Sequence, residues 1–168
     1  MIEAHSMLRK MEIQHEQFMR MAINLAEKNI EQALGGPFGA VIVKDGEVIA
    51  QCANSVTTSN DPTAHAEVST IRAACEKLNT FDLSGCVIYT SCEPCPMCLG
   101  AIYWARIDTI YYANTKADAA AIGFDDQFIY EELEVPMSDR KLPVVQLLRN
   151  EALGAFKAWH ASEMKVEY

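Results

Sequence analysis

No apolar stretch in these 168 residues approaches the roughly 20 needed for a membrane-spanning helix, which argues against an integral membrane protein. The first ten residues lack the apolar core of a secretory signal, so the cytoplasm is the expected location. Basic residues are scarce: 14 Lys and Arg stand against 23 Asp and Glu, a formal net charge of −9, and nowhere do Lys and Arg run together. Nucleic-acid phosphates are normally met by a basic surface, so a nucleic-acid partner is not expected. Repeats and low-complexity segments are missing too, which leaves one compact domain of ordinary composition. Half of the residues are apolar and 22% are charged. Six cysteines without an export signal suggest reduced thiols or metal ligands before disulfides.

Three of those cysteines recur at a spacing of three in Thr90-Ser91-Cys92-Glu93-Pro94-Cys95-Pro96-Met97-Cys98-Leu99-Gly100. The run reads as the end of a strand, a proline-shaped turn and the start of a helix, since proline at the first helical position sacrifices no hydrogen bond. Cys95 and Cys98 then share a helical face, and the N–H groups of a helix start favour their thiolates. They form half of a zinc site. The other half is His65 in Asp61-Pro62-Thr63-Ala64-His65-Ala66-Glu67. H-x-E followed by P-C-x-x-C is the signature of zinc-dependent nucleobase deaminases.

Three protein ligands leave a fourth position to water, whose pKa zinc lowers to about 7. Glu67 has no purpose in a purely structural site; beside such a water it can serve as base and then as acid. An alternative closes the site with Cys92 as fourth ligand, giving a structural zinc module without catalysis. For His65 and Glu67 to reach one metal together, His65 must lie at an irregular helix start, because residues two apart diverge on a regular helix.

The rest of the chain reads as alternating helices and strands. A helical period covers Gln14–Asn29, and Met1–Lys10 ahead of it reads as a ragged extension. Phe38–Val43 and Val48–Cys52 are strands joined by Asp45-Gly46, a hairpin signal. Gly36, Gly39 and Ala40 allow a ligand or another backbone to come close. Asn54–Asn60 is a loop, and a helix runs from Asp61-Pro62 to about Leu78, capped between Asp61 and Thr63. Cys86–Ser91 and Thr109–Ala113 are strands around the helix Pro96–Ala105, a parallel crossover. Short helices follow at Ala117–Ala121 and Gln127–Leu133, then a strand at Pro143–Leu148 and a helix at Asn150–Met164. The expected fold is a three-layer α/β/α arrangement around a five-stranded mixed sheet, with residues 1–13 an N-terminal extension and 14–168 one domain.

Several residues carry two readings on the residues alone. Phe38 suits a core position or a ligand contact. Asp126 suits a helix N-cap before Gln127 or a carboxylate that accepts two N–H donors from a purine. Trp104 is pocket wall or a packed helix aromatic.

These motifs, together with Gly35-Gly36-Pro37-Phe38-Gly39-Ala40, Gly123-Phe124-Asp125-Asp126 and the final Glu167-Tyr168, resemble the cytidine deaminase-like superfamily and, within it, the bacterial guanine deaminases. The resemblance spans about Gln14 to Tyr168 and leaves Met1–Ile13 unmatched. It implies conversion of guanine to xanthine and ammonia, with one zinc ion per subunit on His65, Cys95 and Cys98. Glu67 is implied as the proton shuttle, Asn54 as a hydrogen-bond partner of the base and Phe38 as the ring stacked on it. Asp126 is implied to meet the purine edge and to help move protons. Ala66 and Trp104 are expected to line the base. The family also implies a homodimer in which the C-terminal segment crosses over and Tyr168 caps the partner's site. Two relatives share most motifs and remain as rivals: tRNA adenosine deaminase and deaminases of other small bases such as cytosine.

Overall fold

The protein is described from a computed structural model, which covers the backbone of residues 2–168 and the side chains from residue 12 onward. Met1 lies outside the described residues. The chain divides into two compact units, Met1–Asp126 and Gln127–Tyr168.

The first unit opens with helix α1, Ile2–Glu31. The sequence reading starts this helix at Gln14, but no glycine or proline interrupts residues 2–31, and Ala, Met, Leu, Arg, Lys and Glu are strong helix formers. The expected extension is therefore helical backbone from Ile2. Strands β1, Gly39–Lys44, and β2, Glu47–Ala53, form the anticipated hairpin. Its turn places Asp45 and Gly46 at positive φ, as a two-residue Asp-Gly turn requires. A single-turn helix α2, Val56–Ser59, sits in what the sequence suggests is plain loop. Then come α3, Ala66–Leu78; β3, Cys86–Cys92; α4, Pro96–Trp104; β4, Thr109–Asn114; and α5, Lys116–Ala121.

The sheet order is β2-β1-β3-β4. β1 is antiparallel to both neighbours, and β3 and β4 are parallel across α4. Alternation along β1 sorts its side chains to two faces. Val41 and Val43 join Tyr89, Ala22 and Phe18 under α1, while Ala40 and Ile42 join Ile88, Ala66, Ala74 and Ile102 under α3 and α4. Helices thus cover both faces of a mixed sheet. Gly39 makes one of these contacts possible: a Cβ there would fall 2.7 Å from Leu25 Cβ and 2.9 Å from Ala26 N. The close approach allowed by that glycine is to the backbone of α1.

The sheet has four strands among the described residues, not five. Residues 143–148, the expected last strand, have no regular structure and no ladder partner, and Val144, Val145 and Leu147 are exposed. Apolar content marks a surface that wants covering; a strand also needs a neighbour to pair with. The second unit holds α6, Gln127–Glu134, a 3-10 turn at Met137–Asp139, and α7, Arg149–Ala161. No helix is long and apolar enough to cross a membrane among the described residues.

Candidate active site

The candidate site lies at the end of the sheet where β1 begins and β2 and β3 finish, as the pairs Gly39–Ala53 and Ala40–Thr90 indicate. Two helices start there. The sequence reading places the cap of α3 between Asp61 and Thr63, but the structure places it at His65. Asp61 is instead the head of a turn, its Oδ1 accepting from Thr63 N at 2.8 Å and from the Thr63 hydroxyl at 2.7 Å. His65 is extended at φ −66°, ψ 155°, and its carbonyl accepts from Ser69 N. Cys95 is the matching N-cap of α4 at φ −65°, ψ 168°, with Pro96 at the first helical position. Neither cap side chain makes a capping hydrogen bond. Both instead point their donor atoms at one place.

That place is defined by His65 Nδ1, Cys95 Sγ and Cys98 Sγ, all within 4.8 Å of one another. Nδ1 is 3.6 Å from the Cys95 sulfur and 3.4 Å from the Cys98 sulfur. Tetrahedral zinc, with Zn–N and Zn–S bonds of about 2.05 and 2.3 Å, spaces nitrogen and sulfur roughly 3.6 Å apart. The donor set and its spacing fit zinc. Cys92 is not part of it: this thiol is buried and turned to the Thr115 carbonyl, 3.6 Å away, and burial pushes it up to about 11. The reading that closed the site with Cys92 is overturned by that direction.

The protonation of the donors is uneven. A hydrogen bond from Cys98, aided by His65, pulls Cys95 down to about 4 despite burial. The same bond, with burial, pushes Cys98 up. His65 is raised, first by its hydrogen bond to Cys95 and further by the charges of Cys95, Glu67 and Asp126. One sulfur is ready as a ligand and the other must release a proton to become one.

Glu67, in the first turn of α3, is 6% exposed. Burial raises its pKa, opposed by hydrogen bonds with its own backbone and with Cys98. The Thr90 hydroxyl lies 3.3 Å from its Oε1 and donates to the Cys92 carbonyl at 2.8 Å. Ala66, between His65 and Glu67, is fully buried. Asp126 is raised by burial and by the Cys95 charge, and its own charge is felt at His65. Its segment is fixed by Phe124, whose ring meets Phe38 edge-on with centroids 4.9 Å apart. Asn54 follows β2 and is buried; its Oδ1 accepts from Gly36 N at 3.1 Å and Val56 N at 3.3 Å.

Trp104 ends α4 and is 67% exposed, so it is not the packed core aromatic the sequence allows. Tyr168 belongs to the second unit and is 70% exposed. Two residues emerge that sequence reasoning passes over. Thr90 is a buried hydroxyl in an apolar strand, and Asn29 is an amide on the buried stripe of α1. A polar residue at a core position was the available signal for both.

Comparison with known proteins adds the following. Residues 12–114 match the cytidine and deoxycytidylate deaminase zinc-binding region. The chain is 54% identical to the guanine deaminase of Bacillus subtilis over 92% of its own length and 99% of that protein. It is 43% identical to a tRNA-specific adenosine deaminase of Aquifex aeolicus, over 58% of this chain and 64% of the other. Among solved structures, the X-ray structure of guanine deaminase from Bacillus subtilis matches with a TM-score of 0.89 and 55% identity, covering 92% of this chain and 98% of that one. A guanine deaminase from Nitrosomonas europaea matches with a TM-score of 0.62 and 36% identity, covering 65% and 63%.

Proposed function

The chain belongs to the cytidine and deoxycytidylate deaminase family, and on that footing we propose that it hydrolyses guanine to xanthine and ammonia. The observation that carries this reading is the meeting of His65, Cys95 and Cys98 with a buried carboxylate, Glu67, beside them. Zinc held by the three donors, one ion per subunit, supplies a water acidic enough to be ionised near neutral pH. Glu67 takes a proton from the attacking water and gives it to the ring nitrogen, then takes the proton of the newly added hydroxyl and gives it to the amino group, which leaves as ammonia as its bond to the ring carbon breaks. Burial suits it to this, because a raised carboxyl accepts a proton more readily than an ordinary one. The Thr90 hydroxyl, which donates to the Cys92 carbonyl, lies 3.3 Å from Glu67 Oε1 and accepts from the carboxyl group when it holds the proton.

The base is held by groups around the same end of the sheet. Phe38 stacks on its face, Asn54 donates to one of its acceptors, and Ala66 and Trp104 line it. Asp126 accepts from the N–H groups that guanine presents, and its raised pKa lets it share in proton transfer. The enzyme acts in the cytoplasm as a homodimer whose C-terminal segments are exchanged, so that Tyr168 caps the partner's site. Supporting this, the second unit leaves Val145, Leu147, Leu148, Phe156, Met164 and Val166 exposed, apolar side chains that a partner subunit would cover.

A polymeric substrate is disfavoured by the charge of −9 and by the similarity to the Bacillus subtilis guanine deaminase, which runs nearly end to end. The test is ammonia release across guanine, adenine, cytosine, their nucleosides and tRNA. Release from guanine alone, or guanine far ahead of the rest, is expected. Activity on tRNA or cytosine instead would reassign the substrate, and zinc-loaded protein inert toward all of them would leave only a structural module.

A further inference from the structure

Asn29 ties together two loops that flank the site, yet it belongs to neither. It sits near the end of α1, on the stripe that includes Ala22 and Ala26, and is 4% exposed. Its Nδ2 donates to the Gly36 carbonyl and to the Asn54 carbonyl, each at 2.8 Å. Both amide protons are thereby used. Between the same loops, Gly36 N donates to Asn54 Oδ1 and Asn54 N donates to the Phe38 carbonyl at 3.0 Å. Gly35 closes the node sterically: a Cβ there would fall 3.0 Å from Asn29 Nδ2 and 3.0 Å from Asn54 Oδ1.

This arrangement fixes which way the Asn54 amide points. Main-chain N–H groups only donate, so the Gly36 and Val56 amides hold its oxygen end. Its Nδ2 end has no protein partner among the described residues. We propose that Asn29 is a positioning residue for substrate selection: by clamping the Gly36 and Asn54 carbonyls, it holds Asn54 as a hydrogen-bond donor toward an acceptor atom of the bound base. The same clamp holds the backbone of Phe38 in place. A base that turns an N–H toward Asn54 then meets a donor with a donor and is refused. This inference rests on the proposed deamination of a purine base.

The test uses the zinc-loaded full chain and three variants. Asn29→Ala removes the clamp; Asn29→Asp keeps its shape but cannot donate to carbonyls; Gly35→Ala disturbs the node from the other side. KM and kcat for guanine, zinc per subunit and backbone amide exchange at Gly35, Gly36, Phe38 and residues 54–56 are measured together. Loss of a buried hydrogen-bonding partner predicts KM raised about tenfold to a hundredfold. kcat and zinc content stay close to wild type, exchange quickens in both loops, and Gly35→Ala behaves alike. Folded, zinc-loaded variants with unchanged KM would overturn the proposal, and so would three variants that all fail to fold, since Asn29 would then serve folding alone. Wild-type protein that releases no ammonia from guanine would refute the substrate reading instead. Even then, unchanged exchange in both loops of the variants overturns the clamp.

Discussion

His65, Cys95 and Cys98 converge because two of them occupy N-cap positions, where a side chain turns back over the helix start instead of outward along its face. The thiols arrive in different states, Cys95 pulled down to about 4 and Cys98 held up by its hydrogen bond to Cys95. Zinc binding must therefore expel a proton, and affinity should fall as pH falls. Competition against a chromophoric chelator at pH 6 and pH 8 is expected to show tighter binding at pH 8, with Cys98→Ser unable to retain the ion at either. Binding that is equally tight at both would contradict the assigned protonation. The donors were legible because metal ligation dictates residue types at fixed spacing. Cys92 shares that spacing and was excluded only by its orientation, which no spacing encodes. Asn29 and Thr90 were not legible, since their partners lie on elements distant in sequence.

Elements were legible wherever a local signal was decisive. The Asp45-Gly46 hairpin and the Pro96 helix start follow from backbone geometry. The cap of α3 did not, because Asp61-Pro62 carries the chemistry of both a cap and a turn, and the choice is made by tertiary packing. The strand expected at 143–148 failed for want of a partner, a property of the surroundings and not of the segment. Packing of α1 against β1 is specific enough to test. Gly39→Ala should cost about 1–3 kcal/mol by overpacking, read as a lower urea midpoint, because the new Cβ meets backbone that cannot yield locally. Turn carboxylates give a second test. Hydrogen bonds from Thr63 hold Asp61 below its ordinary range, those from Ser84 hold Asp82 there, and those from Thr115 hold Asp118 there. A folded-state pKa below the unfolded value adds stability that is fully present above the ordinary 3.8 and is lost as pH falls through the lowered value. Resistance to urea should weaken below about pH 4, and Asp61→Asn with Asp118→Asn should flatten that dependence. An unaltered profile in the double variant would show that other groups control it.

At the scale of the molecule, a four-stranded sheet with helices on both faces brings two helix starts to one end, and the chemistry sits there. The second unit leaves several large apolar side chains exposed, and a second copy of the chain is the proposed cover. Sedimentation should report a dimer. Deleting Glu167-Tyr168 should lower kcat for guanine about tenfold or more, through the loss of a closing group, with little change in Tm. A truncated enzyme with full turnover would remove the capping role of Tyr168. The whole account stands on hydrolysis at a zinc site in which Glu67 moves the protons. The direct measurement is ammonia release from guanine by Glu67→Gln beside wild type, with zinc counted in both. One zinc per subunit in each, and turnover lowered by about a thousandfold or more in the variant, is the predicted result. A zinc-loaded Glu67→Gln enzyme that still deaminates guanine at a wild-type rate would contradict it.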